Sequence, residues 1–434
     1  MTPELPNSVW AAVSAPGPQL TLLDGDIDVE AVVIGAGFTG LSTALHLVQD
    51  GVDVVVLEAA EPGWGASGRN NGQVIPTLTR PEPDDIIAKH GDAGEKFVAV
   101  LRDSAGYLFD VARQFGLNAE AEQSGWIQPV HTPGRMKIAE RRVQQWSKHG
   151  APVDLLSREQ VRDLTGSEIW HGGWSNSTGG HINPLALARE LARAVVNGGA
   201  RIFQHTPALS FRYSGHGNDA RWIVETPRGQ VTARRLMLAT NAYTGEFAKT
   251  LAPAIANEVV PIVSWQLATK PLGDNLRRHI IPGRQAVSDT HGDLHFTRYD
   301  ARNRLITGGA LMIPVNGVDR MKSRIGARLK RMFEPIGDIG FDYVWNGYVG
   351  MTTDFMPRFH QLGPNGFAWV GCNGRGVALS VALGREFSKA LQDVPVAELG
   401  LPVSKPKPLL AHGIVRRLAP LRLIQFRWND AKEI

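Results

Sequence analysis

The chain of 434 residues has one cysteine, Cys372, and no lysine or arginine before Arg69. A single cysteine excludes an intramolecular disulfide and any zinc site built on cysteines, and it fits a reducing compartment. Nine carboxylates (Glu4, Asp24, Asp26, Asp28, Glu30, Asp50, Asp53, Glu58 and Glu61) precede the first cation. The amino-terminal stretch therefore lacks the basic region on which a secretory signal depends. No run approaches the roughly 18 consecutive apolar residues of a membrane-spanning helix. Internal repeats and low-complexity tracts are missing too, and no metal is expected. The default reading is a cytoplasmic protein.

The net charge of +4 is unevenly placed. Residues 401–434 hold seven cations (Lys405, Lys407, Arg416, Arg417, Arg422, Arg427 and Lys432) and two anions (Asp430 and Glu433), which gives +5 for the tail and 4 − 5 = −1 for the body. A near-neutral body with a basic tail is not a phosphate-tracking groove, so nucleic acid is not the expected partner. In "HGIVRRLAPLRLIQFRW" the arginines alternate with Leu, Ile, Phe and Trp, the composition of an interfacial membrane segment. Pro420 interrupts any long helix there, and arginine stems also serve simply to cover apolar surface. Both readings of the tail stay open: peripheral contact with the inner face of a membrane, or a cover for apolar surface.

What is present is ordered in recognisable units. Residues 1–29 read as an extended lead-in rich in Pro, Gly and Asp. "EAVVIGAG" is a buried parallel strand, "FTGLSTALHLVQDG" a helix stopped by Gly51, and "VDVVVLEA" a second strand, which makes a βαβ unit. "GARIFQHTPAL", "RRLMLATNAYT" and "GFAWVGCNGRGVALSVALGREFSKAL" add three more strands, the last running through a glycine-rich turn into a helix. Between them, "VVPIVSWQLATK", "LHFTRYD" and "NRLITGGA" suggest short antiparallel strands. The fold class predicted is α/β. A Rossmann-like nucleotide-binding domain of the glutathione-reductase type takes 30–81, 151–245 and 346–400. An α+β substrate domain with a mainly antiparallel sheet takes 82–150 and 246–345, and the basic tail takes 401–434.

Gly35, Gly37 and Gly40 form G-x-G-x-x-G between strand and helix, and Glu58 follows eighteen positions after the last glycine at the tip of the next strand. That context points to dinucleotide binding: a tight turn at Gly35, close approach of phosphate at Gly37, helix packed on strand at Gly40, and Glu58 on a ribose. Two features favour FAD over NAD. "GWGASGRNNGQV" begins five residues after Glu58 and brings Arg69 among exposed amides. "GCNGRGVAL" places Arg375 and a helix start in one turn, and a reduced flavin carries negative charge that such a turn steadies.

The chain resembles the FAD-dependent amine and amino-acid oxidases of the D-amino-acid-oxidase superfamily, the group that includes glycine oxidase and sarcosine oxidase. "VIGAGFTGLSTALHL", "LEAAEPGWGASGRNNGQV", "GWIQP", "INPLALARELA", "LMLATNAYT", "NRLITGGA" and "TTDFMPRF" fall in the family's order. The resemblance implies FAD held by Gly35, Gly37, Gly40, Glu58, Ser67, Arg69, Gly72 and Gln73. The neighbours Ala36, Phe38, Thr39, Ala59, Gly65, Ala66, Asn70 and Asn71 complete that stretch. Ala208, Ala239 and Thr240 would flank the adenosine, and Gly374, Arg375, Gly376 and Val377 the pyrimidine end of the flavin. Two departures from the family stand out. Ala378 occupies the position where sarcosine-oxidase-like members carry a carboxylate-binding lysine, which weakens the case for a simple N-methyl amino acid. The loop 66–72 offers neither His nor Cys, so the FAD is expected to be non-covalent.

The chemistry implied is oxidation of a C–N bond in a small amine or amino-acid derivative. Hydride passes from the carbon beside nitrogen to flavin N5, the imine hydrolyses, and dioxygen or a quinone takes the electrons. The amine must be neutral, so an apolar, aromatic pocket is expected. Trp126, Trp170, Trp174, Trp265, Trp345, Tyr243 and Phe296 fall in or near the candidate segments. Candidate substrate-pocket residues are Tyr243, Trp265, His181, His295 and Asp354, and no catalytic acid or base is assigned. Two other classes of function remain at this stage. An NAD(P)H-driven flavin reductase or hydroxylase is disfavoured by the lack of a second G-x-G-x-x-G. The other is a flavoprotein kept as a binding module without turnover.

Overall fold

The computed structural model describes residues 3–292, 295–312 and 315–432. Among these residues the chain builds two eight-stranded sheets and one short two-stranded ribbon. The first sheet runs in the order Arg358–Gly363, Gly366–Val370, Gly229–Leu238, Ile27–Ile34, Val54–Leu57, Arg201–Phe203. Its centre is parallel, with Ile34 beside Leu57 on one side and beside Leu238 on the other. Both faces are buried, as the unbroken apolar runs require. Ala31 and Val33 point into one core while Val32 and Ile34 point into the other. The helices Phe38–Gln49 and Val377–Leu391 cover the first face and cross so closely that a Cβ on Gly384 would stand 2.3 Å from that of Ser42. An antiparallel hairpin, Ser210–Ser214 with Arg221–Thr226, extends the sheet through Gly229–Leu238.

The second sheet is antiparallel except where Ala286–Ser288 pairs with Trp126–Pro129. Helix Gly317–Met332 packs its Met321, Ile325 and Leu329 against one face. Val153–Leu156 and Gly173–Asn176, which the sequence assigned to the nucleotide-binding domain, add to this sheet instead. The Gly, Ser and Asn of Gly173–Asn176 give no apolar run, so the pairing of Trp126 with Asn176 has no local signature. Residues 346–351 likewise continue the strand Phe341–Met351 of this sheet.

Two terminal segments are more structured than their composition suggests. The lead-in contains a helix, Val9–Val13, capped by Ser8. Its Trp10 is fully buried, edge-on to Trp345 at 5.9 Å, and donates to the carbonyl of Asn70. The basic tail forms two helices, His412–Leu418 and Arg422–Lys432, joined by a 3-10 turn that contains Pro420.

Candidate functional site

A cavity of about 1060 Å³ lies between the carboxyl ends of the parallel strands and one face of the second sheet. That exceeds the roughly 300–1,000 Å³ of a pocket for one drug-sized ligand. Its floor is the dinucleotide turn. Gly35 has φ +103°, and a Cβ there would press on the carbonyl of Ala239 at 3.0 Å. Gly37 caps the following helix without any side-chain hydrogen bond of its own, and Ser67 Oγ accepts from the amide of Phe38 at 3.0 Å. Gly40 does not line the cavity, since a Cβ on it would lie 2.0 Å from the carbonyl oxygen of Gly35. Its place is in the packing of helix on turn. Glu58 accepts from the amides of Ala36 at 2.7 Å and Ala60 at 2.9 Å, and burial holds its carboxyl above the usual range despite those bonds.

The loop after Glu58 folds through one short helix, Ala66–Arg69. Asn70 and Asn71 turn it by accepting from the amides of Gly72 and Gln73, and Gln73 donates to the carbonyl of Val287 across the domain boundary. Gly72 (φ +77°) sits against the carbonyl of Ile182, outside the cavity lining. Arg69 lines the cavity, but its guanidinium is partly committed. Nε donates to the carbonyl of Trp64 at 2.6 Å, and the group stacks over that indole at 4.3 Å. Burial lowers its pKa.

Facing this loop is the turn that opens helix Val377–Leu391, in which Asn373 (φ +51°) and Gly374 (φ +83°) are both left-handed. Arg375 is buried there. It donates to Thr77 Oγ1 and to the carbonyl of Leu78, and it lies 4.8 Å over the Trp126 ring. Its Nη2 is buried without a hydrogen-bond partner. Burial, joined by repulsion from Arg142 and opposed by Glu82, pushes its pKa down to about 9. A buried cation with a spare donor, a bare helix start and a glycine turn with no room for side chains together fit an anionic flavin dinucleotide. Of the expected cofactor residues, all but Gly40 and Gly72 line the cavity, including Ala59, Gly65, Ala66, Ala208, Thr240, Gly376 and Val377.

The expected substrate residues divide. Tyr243 lines the cavity, accepting through its hydroxyl from the amide of Tyr348 and packing against Tyr348 and Trp64. Trp265, His181 and Asp354 do not line it. Trp265 sits in the core with Met321 and Ile325, because Ile262, Ser264 and Gln266 take the cavity face of that strand and alternation sends Trp265 to the other. His181 pairs with Gln73 in the short ribbon and contacts the carbonyl of Arg284 at 3.0 Å. Burial and the charges of Arg298 and Arg284 hold it well below its usual pKa. Asp354 lies at the surface between Lys89 and Arg358. His295 stops one layer behind the wall, stacked on His291, which is in turn stacked on His131. Beneath them the carboxylate of Asp289 is buried. Burial would raise its pKa, but the imidazoles of His295 and His291 hold it well below the usual range. The ligand atoms of Asp289, His291 and His295 lie within 4.8 Å of one another, close enough to hold a metal ion, whereas the sequence reading expects none.

Of the aromatic candidates only Tyr243 and Phe296 line the cavity, whereas Trp126, Trp170, Trp174 and Trp345 are core residues. The aromatic wall is made by Trp64, Phe247, Tyr348 and Phe355, which sequence reasoning missed. Also missed was a cationic corner. Arg80 stacks over Phe355 at 4.4 Å, feels the charges of Arg422 and Arg135, and is favoured by Asp430, the partner of Arg135. Arg135 reaches Asp430 at 3.2 Å, and the amide of Gly292 donates to it at 2.9 Å, so the tail closes this end of the cavity.

A family model described as FAD dependent oxidoreductase matches residues 30–390. Gamma-glutamylputrescine oxidoreductase of Escherichia coli (strain K12) is 28% identical over 388 residues, covering 89% of each chain. Glycine oxidase from Geobacillus kaustophilus superposes with a TM-score of 0.70 at 17% identity, over 85% of this chain and 95% of its own. L-proline dehydrogenase from P. horikoshii does so with a TM-score of 0.71 at 18% identity, over 86% and 96%. The two structures support the fold, and the family model, spanning most of the chain, identifies it as an enzyme that uses FAD and belongs to the D-amino-acid-oxidase family of FAD-dependent oxidoreductases.

Proposed function

We propose that this enzyme oxidises the C–N bond of a small amine that also carries a carboxylate. The observation that carries the reading is one continuous cavity joining the dinucleotide turn to an aromatic wall and a cationic corner. Bound there without a covalent link, FAD supplies the acceptor for a hydride from the carbon beside nitrogen, and the resulting imine hydrolyses in water. Tyr243, Tyr348 and Phe247 line the cavity and strip water from the amine, which favours its neutral, reactive form. Arg80, Arg135 and Arg422 attract the carboxylate at the far end, with Asp430 holding Arg135 in place. Dioxygen or a quinone takes the two electrons. The single cysteine supports a reducing, cytoplasmic setting.

The name of the Escherichia coli relative makes gamma-glutamyl amines the first compounds to try, followed by amino acids and N-methyl amino acids. Each should be compared with its decarboxylated counterpart under air, measuring carbonyl product. The reading expects the acids to turn over with kcat/KM at least about tenfold above the decarboxylated amines. Equal rates for both would remove the carboxylate from the proposal, and no product from any of them would remove the reaction.

A further inference from the structure

The tail has two faces with different jobs. Inward, Ile414, Val415, Leu418, Ala419, Pro420 and Leu423 line the cavity, and the helices are pinned by Asp430 and by the His412 ring against the carbonyl of Val259 at 2.8 Å. Outward, Leu410, Leu421, Ile424 and Trp428 are 92%, 52%, 52% and 57% exposed, and none of them lines the cavity. With the cavity-lining but exposed Ile414 and Leu418 they make six of the fourteen exposed large apolar side chains among the described residues, gathered within nineteen positions, while the other eight are scattered from Leu22 to Val318. The steps of three and four from Leu421 through Ile424 to Trp428 keep these three on one side of the second helix. Covering the cavity does not require the four outward side chains, because other residues of the tail do that.

Charge selects the occupant. Residues 401–434 carry +5 by sequence, and Arg417 is exposed on the tail, whereas Arg422 lines the cavity and Arg416 lies 5.8 Å from the Tyr348 ring. A second copy would bring the same positive charge against itself, which costs association. An anionic lipid surface offers both the opposite charge and an apolar layer for Leu, Ile and Trp to enter. No helix among the described residues is long and apolar enough to cross a membrane, so the contact would be interfacial. We propose that the outer face of the tail, Leu410 to Trp428, rests on anionic phospholipid, so that the segment closing the cavity is also the enzyme's membrane contact.

The test uses the full-length, FAD-loaded enzyme in sedimentation with vesicles of phosphatidylglycerol and phosphatidylcholine, and with phosphatidylcholine alone. The protein should pellet with the mixed vesicles at low salt, and both raised salt and pure phosphatidylcholine should release it. Leu421→Ser, Ile424→Ser and Trp428→Ser together, none of which lines the cavity, should weaken binding at least about tenfold. Arg417→Gln should weaken it by about fivefold as well. Flavin content and thermal midpoint should be unchanged in both, which separates lost docking from lost folding. Failure of the wild type to bind mixed vesicles at low salt overturns the proposal, as does undiminished binding by the serine variant. Concentration-dependent dimers without lipid, abolished by the serine substitutions, would assign the face to a second copy instead.

Discussion

Arg375→Met separates the cost of a buried charge from its use. The guanidinium is 4% exposed, and its pKa is pushed down to about 9, burial being the main cause. A depression of that size corresponds to roughly 5 kcal/mol of penalty for keeping the group charged in the folded protein. A folded pKa below the unfolded one, with both above neutrality, leaves that penalty fully present at pH 7. The bonds to Thr77 and Leu78 and the contact with Trp126 offset about 2–3 kcal/mol. Methionine removes both the penalty and the offsets. The FAD-free variant should therefore be about as stable to urea as the FAD-free wild type, or about 2 kcal/mol more stable. Saturating FAD should reverse the order, because only the wild type gains an acceptor for the buried, unpartnered Nη2. The stabilisation by FAD should be greater in the wild type by about 2 kcal/mol, a factor of about thirty in Kd. Equal increments from FAD in the two proteins would refute the assignment of Arg375 to the cofactor.

Other substitutions probe separate parts of the site. Gly40→Ala forces a Cβ against the carbonyl of Gly35, 2.0 Å away, and should cost about 2–3 kcal/mol of stability with at least a tenfold loss of FAD affinity by fluorescence titration. Arg80→Ala should raise KM for a carboxylate-bearing amine by about 10- to 100-fold with a smaller change in kcat, and leave a decarboxylated amine unaffected. His181 resists protonation in the folded state that the unfolded chain accepts. Stability should thus fall as pH drops below about 6.5, by up to about 1.4 kcal/mol per pH unit, and His181→Gln should remove that component in urea melts at pH 7.5 and 5.5.

The parts of the site written in contiguous residues were legible in the sequence. Gly35 to Gly40, Glu58, and Asn373 to Val377 each fold locally, so spacing alone located the cradle. Strand alternation decided what was not legible. Trp265 and Gln266 are neighbours in sequence, but only the glutamine faces the cavity, and a strand with mixed residues on both sides does not announce which face looks inward. His181, a candidate for substrate contact by its place in the sequence, instead braces the loop through Gln73 and Arg284. The pairing of Gly173–Asn176 with Trp126–Pro129 spans 44 to 50 positions and the meeting of Asp430 with Arg135 spans 295, and no local pattern encodes them. For the same reason the tail was readable as amphipathic, while its place over the cavity was not.

Anaerobic mixing of the purified, FAD-loaded enzyme with a carboxylate-bearing amine, followed by absorbance of the flavin, tests the central claim most directly. The oxidised bands should bleach with the amine, stay unchanged with NADPH, and return on admission of dioxygen or a quinone. A protein that takes up no FAD, or one bleached by NADPH and not by any amine, would contradict it.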